Sequence, residues 1–257
     1  MDGLLLRRRL MMDRPAPSPG LAYYTETVTI GADSGTLTVN HNLGTENVFV
    51  FIRDTGSQIY GISGTFSIIL VPKILTSQLD SRTNVYLFET RTTSSTSGYY
   101  VGSFDANSSF SQNSVVVYTR SSTYPFLSGH TYEIKVVAID VLSPSGVKYK
   151  FSTVELNSTS ASVSLPNAIG KTNVFGLIVH QNPVFYQNRV LASVAQEFLA
   201  GVYYGFAAET RTAWNNVNFY SATSGSISLS SVVFGVRNGS YPFDTGKYNT
   251  YLIEIPT

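Results

Sequence analysis

An internal repeat constrains the fold of this chain more than any other feature of its sequence. The motif Glu-Thr-Arg-Thr at residues 89–92 returns at residues 209–212, and a pair of aromatic residues follows each copy at the same offset. Because further matches keep the same order along the chain, the two halves are predicted to be copies of one domain. The other recurring segments are 47–49 with 173–175, 114–116 with 231–233, 124–126 with 241–243, and 131–132 with 250–251.

Both halves carry the pattern of β-strands. Apolar residues alternate with polar ones at residues 28–30 and 154–156, as is typical of strands with one buried face. Continuous apolar runs at residues 49–52 and 175–179 are typical of central strands. Short strands joined by polar turns predict an all-β chain, namely two tandem antiparallel β-sandwiches of the same fold behind an extended N-terminal arm.

The domain boundaries follow from turns and composition. A cluster of turn residues, Pro-Ser-Gly at 144–146, separates the last strand of the first copy from the first strand of the second. We therefore divide the chain into an arm with a Pro-rich linker at residues 1–20, a first domain at 21–143 and a second domain at 144–257. Residues 190–199 have apolar side chains at helical spacing, so either a short helix or a crossover between strands fits this segment.

The arm combines basic and apolar side chains. Residues 1–20 hold four arginines and two aspartates, whereas the rest of the chain holds nearly equal numbers of basic and acidic residues. Pro15, Pro17 and Pro19 favour an extended polyproline linker. We interpret the arm as a docking segment, and the alternative is a disordered or vector-derived tail. The predicted docking residues are Leu4, Leu5, Leu6, Arg7, Arg8, Arg9, Leu10, Met11 and Met12.

Composition argues against several classes of partner and in favour of one. Charged residues make up 13% of the chain, about half of the usual share, and the near-neutral body offers no electrostatic surface for nucleic acid. No apolar run is long enough to span a bilayer, and the N-terminus lacks the features of a secretory signal. The absence of cysteine excludes disulfides and thiolate metal sites. Low charge with many Tyr and Phe is typical of interface cores and predicts a homo-oligomer.

The sequence offers no catalytic motif. The three histidines, His41, His130 and His180, have no metal-ligand spacing, and the scattered carboxylates suggest no acid–base pair. Neither a Gly-x-Ser-x-Gly elbow nor a phosphate-binding glycine loop is present. We therefore predict that the protein is not an enzyme and has no catalytic, cofactor or metal site.

Two repeated features have structural interpretations. Tyr132 and Tyr251, each at the head of the last strand of its copy, are predicted to form tyrosine corners, in which the hydroxyl bonds back to the backbone. The Glu-x-Arg pairs at residues 89–91 and 209–211 each share one strand face. These pairs either protect a strand edge from pairing with another chain or form a contact between subunits or between the two copies.

The segment Thr-Val-Asn-His-Asn-Leu-Gly-Thr at residues 38–45, followed by the apolar run from Val48, resembles a pattern of tail-fibre and appendage proteins of tailed bacteriophages. The segment at 129–139 is similar to the closing strand of those domains, and together the two features resemble the H-type lectin fold, a trimeric antiparallel sandwich. Residues 1–12 resemble the N-termini of virion-associated proteins of gut phages, including crAss-like phages. Neither copy has the Trp that H-type lectins carry near the penultimate strand, so no ligand residue is transferred from that family.

The resemblance implies a virion structural protein, either a capsid decoration or head-fibre protein or a tail appendage. Its partners would be other virion proteins of the capsid or tail and further copies of itself, with a trimer preferred. It would lie on the virion surface after assembly in the host cytoplasm. The alternative is a tandem, lectin-like carbohydrate-binding module for host-surface or mucin glycans. Its possible glycan contacts are Tyr99, Tyr100, Trp214, Phe219 and Tyr220.

Overall fold

The computed structural model describes residues 18–55, 58–59, 62–72, 86–93, 109–118, 125–181, 189–195, 204–211, 216–222, 226–235, 243 and 245–257. In the first half the strands are β1 (Gly20–Thr29), β2 (Thr36–Val39), β3 (Val48–Asp54), β4 (Gln58–Ile59), β5 (Ile62–Val71), β6 (Tyr86–Thr93), β7 (Ser109–Phe110), β8 (Val115–Tyr118) and β9 (Thr131–Ser143). In the second half they are β10 (Tyr149–Leu156), β11 (Ser162–Pro166), β12 (Val174–His180), β13 (Arg189–Ala195), β14 (Tyr204–Arg211), β15 (Asn216–Ala222), β16 (Ser226–Ile227), β17 (Ser231–Gly235) and β18 (Gly246–Glu254).

The strands form two large sheets and two small ones, and the pairings between described strands are antiparallel. The first half has a large sheet of order β1-β9-β3-β5-β4, with β6 also paired to β5, and a small sheet β2-β8-β7. The second half has β10-β18-β12-β13-β14-β15 and β11-β17-β16. The predicted all-β class is confirmed for the described residues, among which there is no helix. The order β1-β9-β3-β5 corresponds to β10-β18-β12-β13.

Each small sheet covers one face of the large sheet of its own half. Leu37 of β2 belongs to the same buried cluster as Val50 of β3. In the second half, Val163 of β11 belongs to the same cluster as Ile178 of β12. Because alternate residues of a strand point to opposite faces, Val50 and Ile178 define the inner face of each large sheet.

The central strands β3 and β12 are buried on their outer faces as well. Phe49 and Phe51 alternate with the inner-face residues of β3, and both have no solvent-exposed surface. Phe175 and Leu177 are buried in the same way in β12. The continuous apolar runs of these strands therefore follow from burial on both faces, as expected for central strands.

A strand, β13, occupies the segment for which two structures were predicted. Residues 189–195 pair with β12 on one side and with β14 on the other, so the helix interpretation is wrong for them. A strand between two neighbours can carry apolar residues at consecutive positions, and such a run matches helical spacing by coincidence. Residues 196–199 lie outside the described residues.

The first predicted tyrosine corner is confirmed. The Leu127 N–H donates to the Tyr132 hydroxyl at 2.8 Å, which is the backward bond that defines the corner. Tyr132 is 1% exposed and packs edge-on against Phe126, with the ring centroids 5.2 Å apart. The hydroxyl thus satisfies a backbone donor next to the turn that starts β9.

In the second half the corresponding tyrosine is Tyr248, so the prediction for Tyr251 is wrong. Tyr248 is 1% exposed and packs edge-on against Phe243, whereas Tyr251 pairs with Leu177 and lies on the outer face of its sheet. The repeated Thr-Tyr pair pointed to Tyr251, but the position equivalent to Tyr132 lies three residues earlier. An odd shift along a strand moves every side chain to the opposite face, which is why the two tyrosines differ in environment.

Candidate functional site

The two large sheets pack against each other through their outer faces. The centroid of the Phe175 ring lies 5.2 Å from that of Phe49 and 5.4 Å from that of Phe51, in tilted and edge-on arrangements. Such arrangements are favourable for aromatic rings. Because all three side chains have no exposed surface, these phenylalanines form the centre of the contact between the halves.

Phe49 and Phe175 occupy equivalent positions in the two halves. Each is the second residue of a seven-residue strand, β3 or β12, that pairs with the last strand of its own half. Contact between equivalent residues is what a two-fold axis produces. At this contact the halves are therefore arranged like the subunits of a two-fold symmetric dimer.

A second contact between equivalent residues lies where each half begins. Leu21 and Val147 exchange two backbone hydrogen bonds of 2.9 Å each and form an isolated antiparallel bridge. Beside them, Gly20 and Gly146 approach so closely that a Cβ atom on Gly20 would lie 2.3 Å from the Gly146 carbonyl oxygen. Glycine is therefore required at both positions, since it alone lets two backbones come this close.

A short repeat could have indicated this junction from the sequence. The segment Gly-Leu-Ala-Tyr at residues 20–23 recurs as Gly-Val-Lys-Tyr at 146–149, and both copies meet in space. The chain turns immediately before the second copy, where the Gly146 N–H donates to the Ser143 carbonyl at 3.0 Å. The repeated glycine thus marks a close approach of two backbones as well as a turn.

An ion-pair cluster lies on the same sheet face as the aromatic contact. Glu133 accepts a hydrogen bond from Arg53 at 2.7 Å and pairs with Lys135 at 3.0 Å. Burial by itself raises the pKa of Glu133, but the ion pairs with Lys135 and Arg53 lower it below its ordinary value. Lys135 Nζ also donates to the Pro256 carbonyl oxygen. The cluster therefore links the first half to the final residues of the second.

A buried carboxylate orients a histidine at the end of β3. Asp54 Oδ2 lies 2.7 Å from His130 Nδ1, and Asp54 is 4% exposed. In the second half the residue equivalent to Asp54 is His180, and a Cβ atom on Gly246 would lie 2.5 Å from His180 Nε2. An imidazole thus fills this place in both halves, but it comes from His130, just before β9, in the first half and from His180 of β12 in the second. The second half thus has no carboxylate–histidine pair at these two positions, which favours a structural role for Asp54 and His130.

His41 closes a turn in the first half through its imidazole. The Leu43 N–H donates to Nδ1 at 3.2 Å, so Nε2 carries the proton in the neutral ring. In the second half Asn167 takes this place, because the Ile169 N–H donates to its Oδ1 at 3.2 Å. Burial lowers the pKa of His41, so the folded chain favours the neutral imidazole.

The substitution His41→Asn is expected to keep the turn and to remove part of the pH dependence of stability. In the unfolded chain the histidine side chain is protonated below about pH 6.5. Because the folded chain binds this proton less readily, the folded state loses stability as the pH falls through that value. In the wild type this loss should reach about 1 kcal/mol, the usual contribution of one hydrogen bond, because a protonated ring cannot accept from the Leu43 N–H. The variant should not show it. Chemical denaturation at about pH 7.5 and about pH 5.5 measures this difference.

The same substitution at His180 is the matched control for this prediction. It removes an imidazole from the other half but leaves the contribution of His41 in place. If the His41→Asn variant loses as much stability between the two pH values as the wild type does, the role assigned to His41 is wrong.

The structure describes few of the residues that were predicted to contact a partner. Phe219 and Tyr220 belong to β15, where they pair with Ala208 and Ala207 of β14. The predicted glycan contacts therefore stay a prediction. The following lie outside the described residues: the docking residues 4–12, Tyr99, Tyr100 and Trp214.

The two Glu-x-Arg pairs lie on equivalent strands, β6 and β14. Strand β6 pairs with β5, and residues 94–108, which follow it, lie outside the described residues, so both interpretations of the pair at 89–91 stay predictions. Strand β14 lies between β13 and β15, so edge protection is wrong for residues 209–211.

Within the described ranges, no group of three or more His, Cys, Asp or Glu side chains could hold a metal ion. The same part of the chain contains no helix that is long and apolar enough to cross a membrane. Comparisons with protein-family models, with curated proteins and with solved structures return no match.

Proposed function

We propose that this chain is a structural protein of a bacteriophage virion, either a capsid decoration or head-fibre protein or a tail appendage. Residues 1–20 dock on the particle, and two β-sandwich domains of one fold, at residues 21–143 and 144–257, form the body on the virion surface. The partners are capsid or tail proteins, and the proposal includes no enzymatic activity. The observation that supports it is the packing of two equivalent halves against each other, and the basic and apolar composition of residues 4–12 supports docking.

The body suits a structural role because two separate contacts hold its halves in one orientation. The first is the aromatic contact of Phe49 with Phe175, and the second is the backbone pairing of Leu21 with Val147. Burying one phenylalanine side chain stabilises a fold by about 1.5–3 kcal/mol. A body that is held at two places presents a fixed surface, which is what a decoration or fibre protein requires.

The arm joins the body at the junction between the halves. Ser18 and Pro19 are exposed, and the chain then enters the backbone pairing of Leu21 with Val147. The linker at residues 15–20 spans about 3.1 Å per residue if it is extended, so the arm can reach a neighbour beside the body. The apolar side chains of the arm are more stable when buried, which supports a partner surface that covers them.

The proposal retains a homo-oligomer, with a trimer preferred from the resemblance to fibre domains. The sequence predicted an oligomer partly from its many Tyr and Phe residues. Some of these, around Phe49 and Phe175, are buried within the chain itself. An oligomer would therefore use surfaces other than the contact around Phe49 and Phe175. Large apolar side chains that are exposed among the described residues are Tyr23, Leu142, Tyr149 and Leu229.

A carbohydrate-binding module is the second candidate function. The rings of Tyr149 and Phe151 lie 5.0 Å apart and are partly accessible, and partly exposed aromatic rings are suited to pack against sugar rings. The register of β1 and β10 places Tyr23 and Thr25 at the equivalent positions of the first half. The aromatic pair is therefore not duplicated at the equivalent positions of β1, and this candidate has one such pair at these strands.

Deleting residues 1–14 is expected to abolish incorporation into the virus particle while the body stays folded. The physical reason is that the contacts between the halves begin at Gly20, outside the deleted segment, whereas the docking residues all lie within it. Quantitative mass spectrometry of purified particles measures the occupancy, and thermal unfolding of the isolated protein measures the integrity of the body.

A variant in which residues 1–14 are replaced by a Gly-Ser segment of equal length is the control for arm length. It should fail to incorporate as well, because it lacks the apolar and basic side chains. Wild-type occupancy of the truncated protein would show that docking lies in the β-domains, and the proposed role of the arm would be abandoned.

A further inference from the structure

The backbone pairing between the starts of the two halves stops after one pair of residues. Leu21 and Val147 exchange two hydrogen bonds, and their bridge is isolated. In an antiparallel ladder the next pair of this kind lies two residues further along each chain, which is Pro19 with Tyr149. No backbone hydrogen bond joins these two described residues, and both line an open groove of about 440 Å³. The two chains therefore separate directly after the bridge.

Strand β10 has an outward edge on the side where this separation occurs. The Lys148 carbonyl accepts from the Glu254 N–H at 2.9 Å, so the backbone groups of Lys148 point towards β18. Successive residues of a strand point their backbone groups to opposite sides, and Val147 accordingly points away from β18, towards Leu21. In the sheet order of the described strands, β10 stands at the end. The residues whose backbone groups form the outward edge are Tyr149, Phe151 and Thr153.

The arm carries proline at every second position before the bridge. Continued along β10, the register of the bridge pairs residue 19 with 149, 17 with 151 and 15 with 153, and each pair requires an N–H from the arm. Pro15, Pro17 and Pro19 occupy all three positions. Proline has no N–H, so strands tolerate it only where that group would face solvent. Pro15 and Pro17 lie outside the described residues, and their place in this register follows from the sequence.

The segment that leads into the second half is turned away from the ladder by a different device. Residues 143–146 precede Val147 as residues 17–20 precede Leu21. The Gly146 N–H donates to the Ser143 carbonyl at 3.0 Å, so a tight turn follows directly on β9. In one half a turn accompanies the end of the ladder, and in the other half prolines do.

Charged side chains add to the protection of β10. Lys148, directly before the strand, and Lys150 within it are both exposed, as is Glu155 further along. Exposed charges, and lysines above all, discourage another strand from pairing at a sheet edge. Arg14, next to Pro15 in the arm, has the same sign as the two lysines. Charge and proline therefore act in the same direction.

We propose that Pro15, Pro17 and Pro19 keep the arm off the outward edge of β10, so that residues 1–14 stay available to a partner. Without these prolines, residues 15–19 would extend the sheet along residues 149–153 and fix the arm against the body. With them, the arm leaves the body at Pro19. The inference rests on the proposed docking role of residues 1–14 for its biological purpose, whereas the pairing itself is a property of the isolated chain.

A stiff spacer is the simpler role for these prolines, and the two roles differ in their dependence on position. The stiffness of a Pro-rich linker depends on its proline content. Blocking depends on which side of the strand each nitrogen faces. In the same register, Ala16 and Ser18 would turn their N–H groups to solvent. Proline at those two positions would therefore leave the pairing possible.

Hydrogen exchange of the backbone amides of β10, followed by NMR on the full-length wild-type chain, is the first test. The N–H groups of Tyr149 and Phe151 should exchange at least about tenfold faster than those of Lys150 and Ser152, because the latter two face β18. The two pairs of amides alternate along one strand, so each pair is the internal reference for the other.

A triple variant in which each of the three prolines is replaced by threonine is the second test. Exchange at Tyr149 and Phe151 should slow about tenfold or more, because both amides then donate to carbonyl groups of the arm. Exchange at Lys150 and Ser152 should stay unchanged. The substitutions are Pro15→Thr, Pro17→Thr and Pro19→Thr.

A variant with the prolines moved by one position is the matched control for stiffness. It should slow exchange at Tyr149 and Phe151 as the triple variant does, because the proline nitrogens then face solvent. Its substitutions are those of the triple variant together with Ala16→Pro and Ser18→Pro.

The proposal is overturned if Tyr149 and Phe151 exchange as slowly as Lys150 and Ser152 in the wild type, or if the triple variant leaves their exchange unchanged. Slowing in the triple variant but not in the moved-proline variant would assign the effect to stiffness and overturn it as well. Protection that rises with protein concentration would mean pairing with another copy, which also contradicts it.

Should the triple variant not fold, Pro19→Thr alone decides the question. Slower exchange at Tyr149 then supports the proposal, and unchanged exchange overturns it. None of these measurements involves the virus particle. Failure of the arm to dock therefore leaves the pairing result standing, and a negative exchange result leaves the docking proposal standing.

Discussion

Replacing Phe175 by alanine is expected to lower the free energy of unfolding by about 3–5 kcal/mol, the usual cost of removing a buried aromatic side chain. The Phe175 ring has no exposed surface and contacts both Phe49 and Phe51. Its loss leaves a cavity between the two large sheets that neither sheet can fill without moving. Urea denaturation, followed by circular dichroism, measures the change.

Two further variants test whether the effect belongs to the contact between the halves. The double variant Phe49→Ala with Phe175→Ala should cost about 0.5–1.5 kcal/mol less than the sum of the single changes, because the ring contact is then lost once rather than twice. Leu229→Ala should change stability by less than about 0.5 kcal/mol, since Leu229 is 65% exposed. A cost below about 1 kcal/mol for Phe175→Ala would mean that the halves do not depend on this contact.

The substitution Gly146→Ala should destabilise the chain by about 2–5 kcal/mol, although it adds one methyl group. The new Cβ atom would lie 2.4 Å from the carbonyl carbon of Gly20, so the two backbones must separate. Overpacking of this kind costs about 1–3 kcal/mol. Separation also weakens the two hydrogen bonds between Leu21 and Val147, each worth about 1 kcal/mol. Chemical denaturation measures the loss.

Gly31→Ala is the matched control, because nothing lies within 4 Å of a Cβ atom at Gly31. The exchange of a freely placed glycine for alanine stabilises a protein by about 0.4–1 kcal/mol through the unfolded state. The two variants should therefore move stability in opposite directions. If Gly146→Ala is as well tolerated as Gly31→Ala, the close approach of the two backbones does not hold the halves together.

Local patterns in the sequence were sufficient to predict several features of the fold. The apolar run at residues 49–52 predicted a central strand, and β3 occupies that place. Tyr132, three residues after a turn glycine, predicted a corner that the Leu127 N–H completes. These features depend on side-chain alternation and turn chemistry, which act over a few residues and are readable without knowledge of the tertiary structure.

The same signals failed where more than one alignment fitted the residues. The Thr-Tyr pair at residues 250–251 matched the pair at 131–132, yet the buried tyrosine of the second half is Tyr248. Apolar residues in the segment at 190–199 fitted helical spacing, yet pairing with β12 and β14 makes residues 189–195 a strand. In both cases the ladder of backbone hydrogen bonds to distant strands decided between patterns that were locally equivalent.

The sequence by itself determined that the chain is all-β and that its motifs recur in order, because strand alternation and repeated motifs are properties of neighbouring residues. It did not determine that the repeated segments meet. Phe49 was readable as a residue of a central strand, but the presence of Phe175 against its outer face depends on how one sheet lies on another. Gly20 was readable as the end of the Pro-rich linker and Gly146 as a turn residue, and only the tertiary structure places their backbones in contact. The reason is that contacts between distant segments depend on the shapes of two assembled surfaces, and those shapes exist only after both sheets have formed.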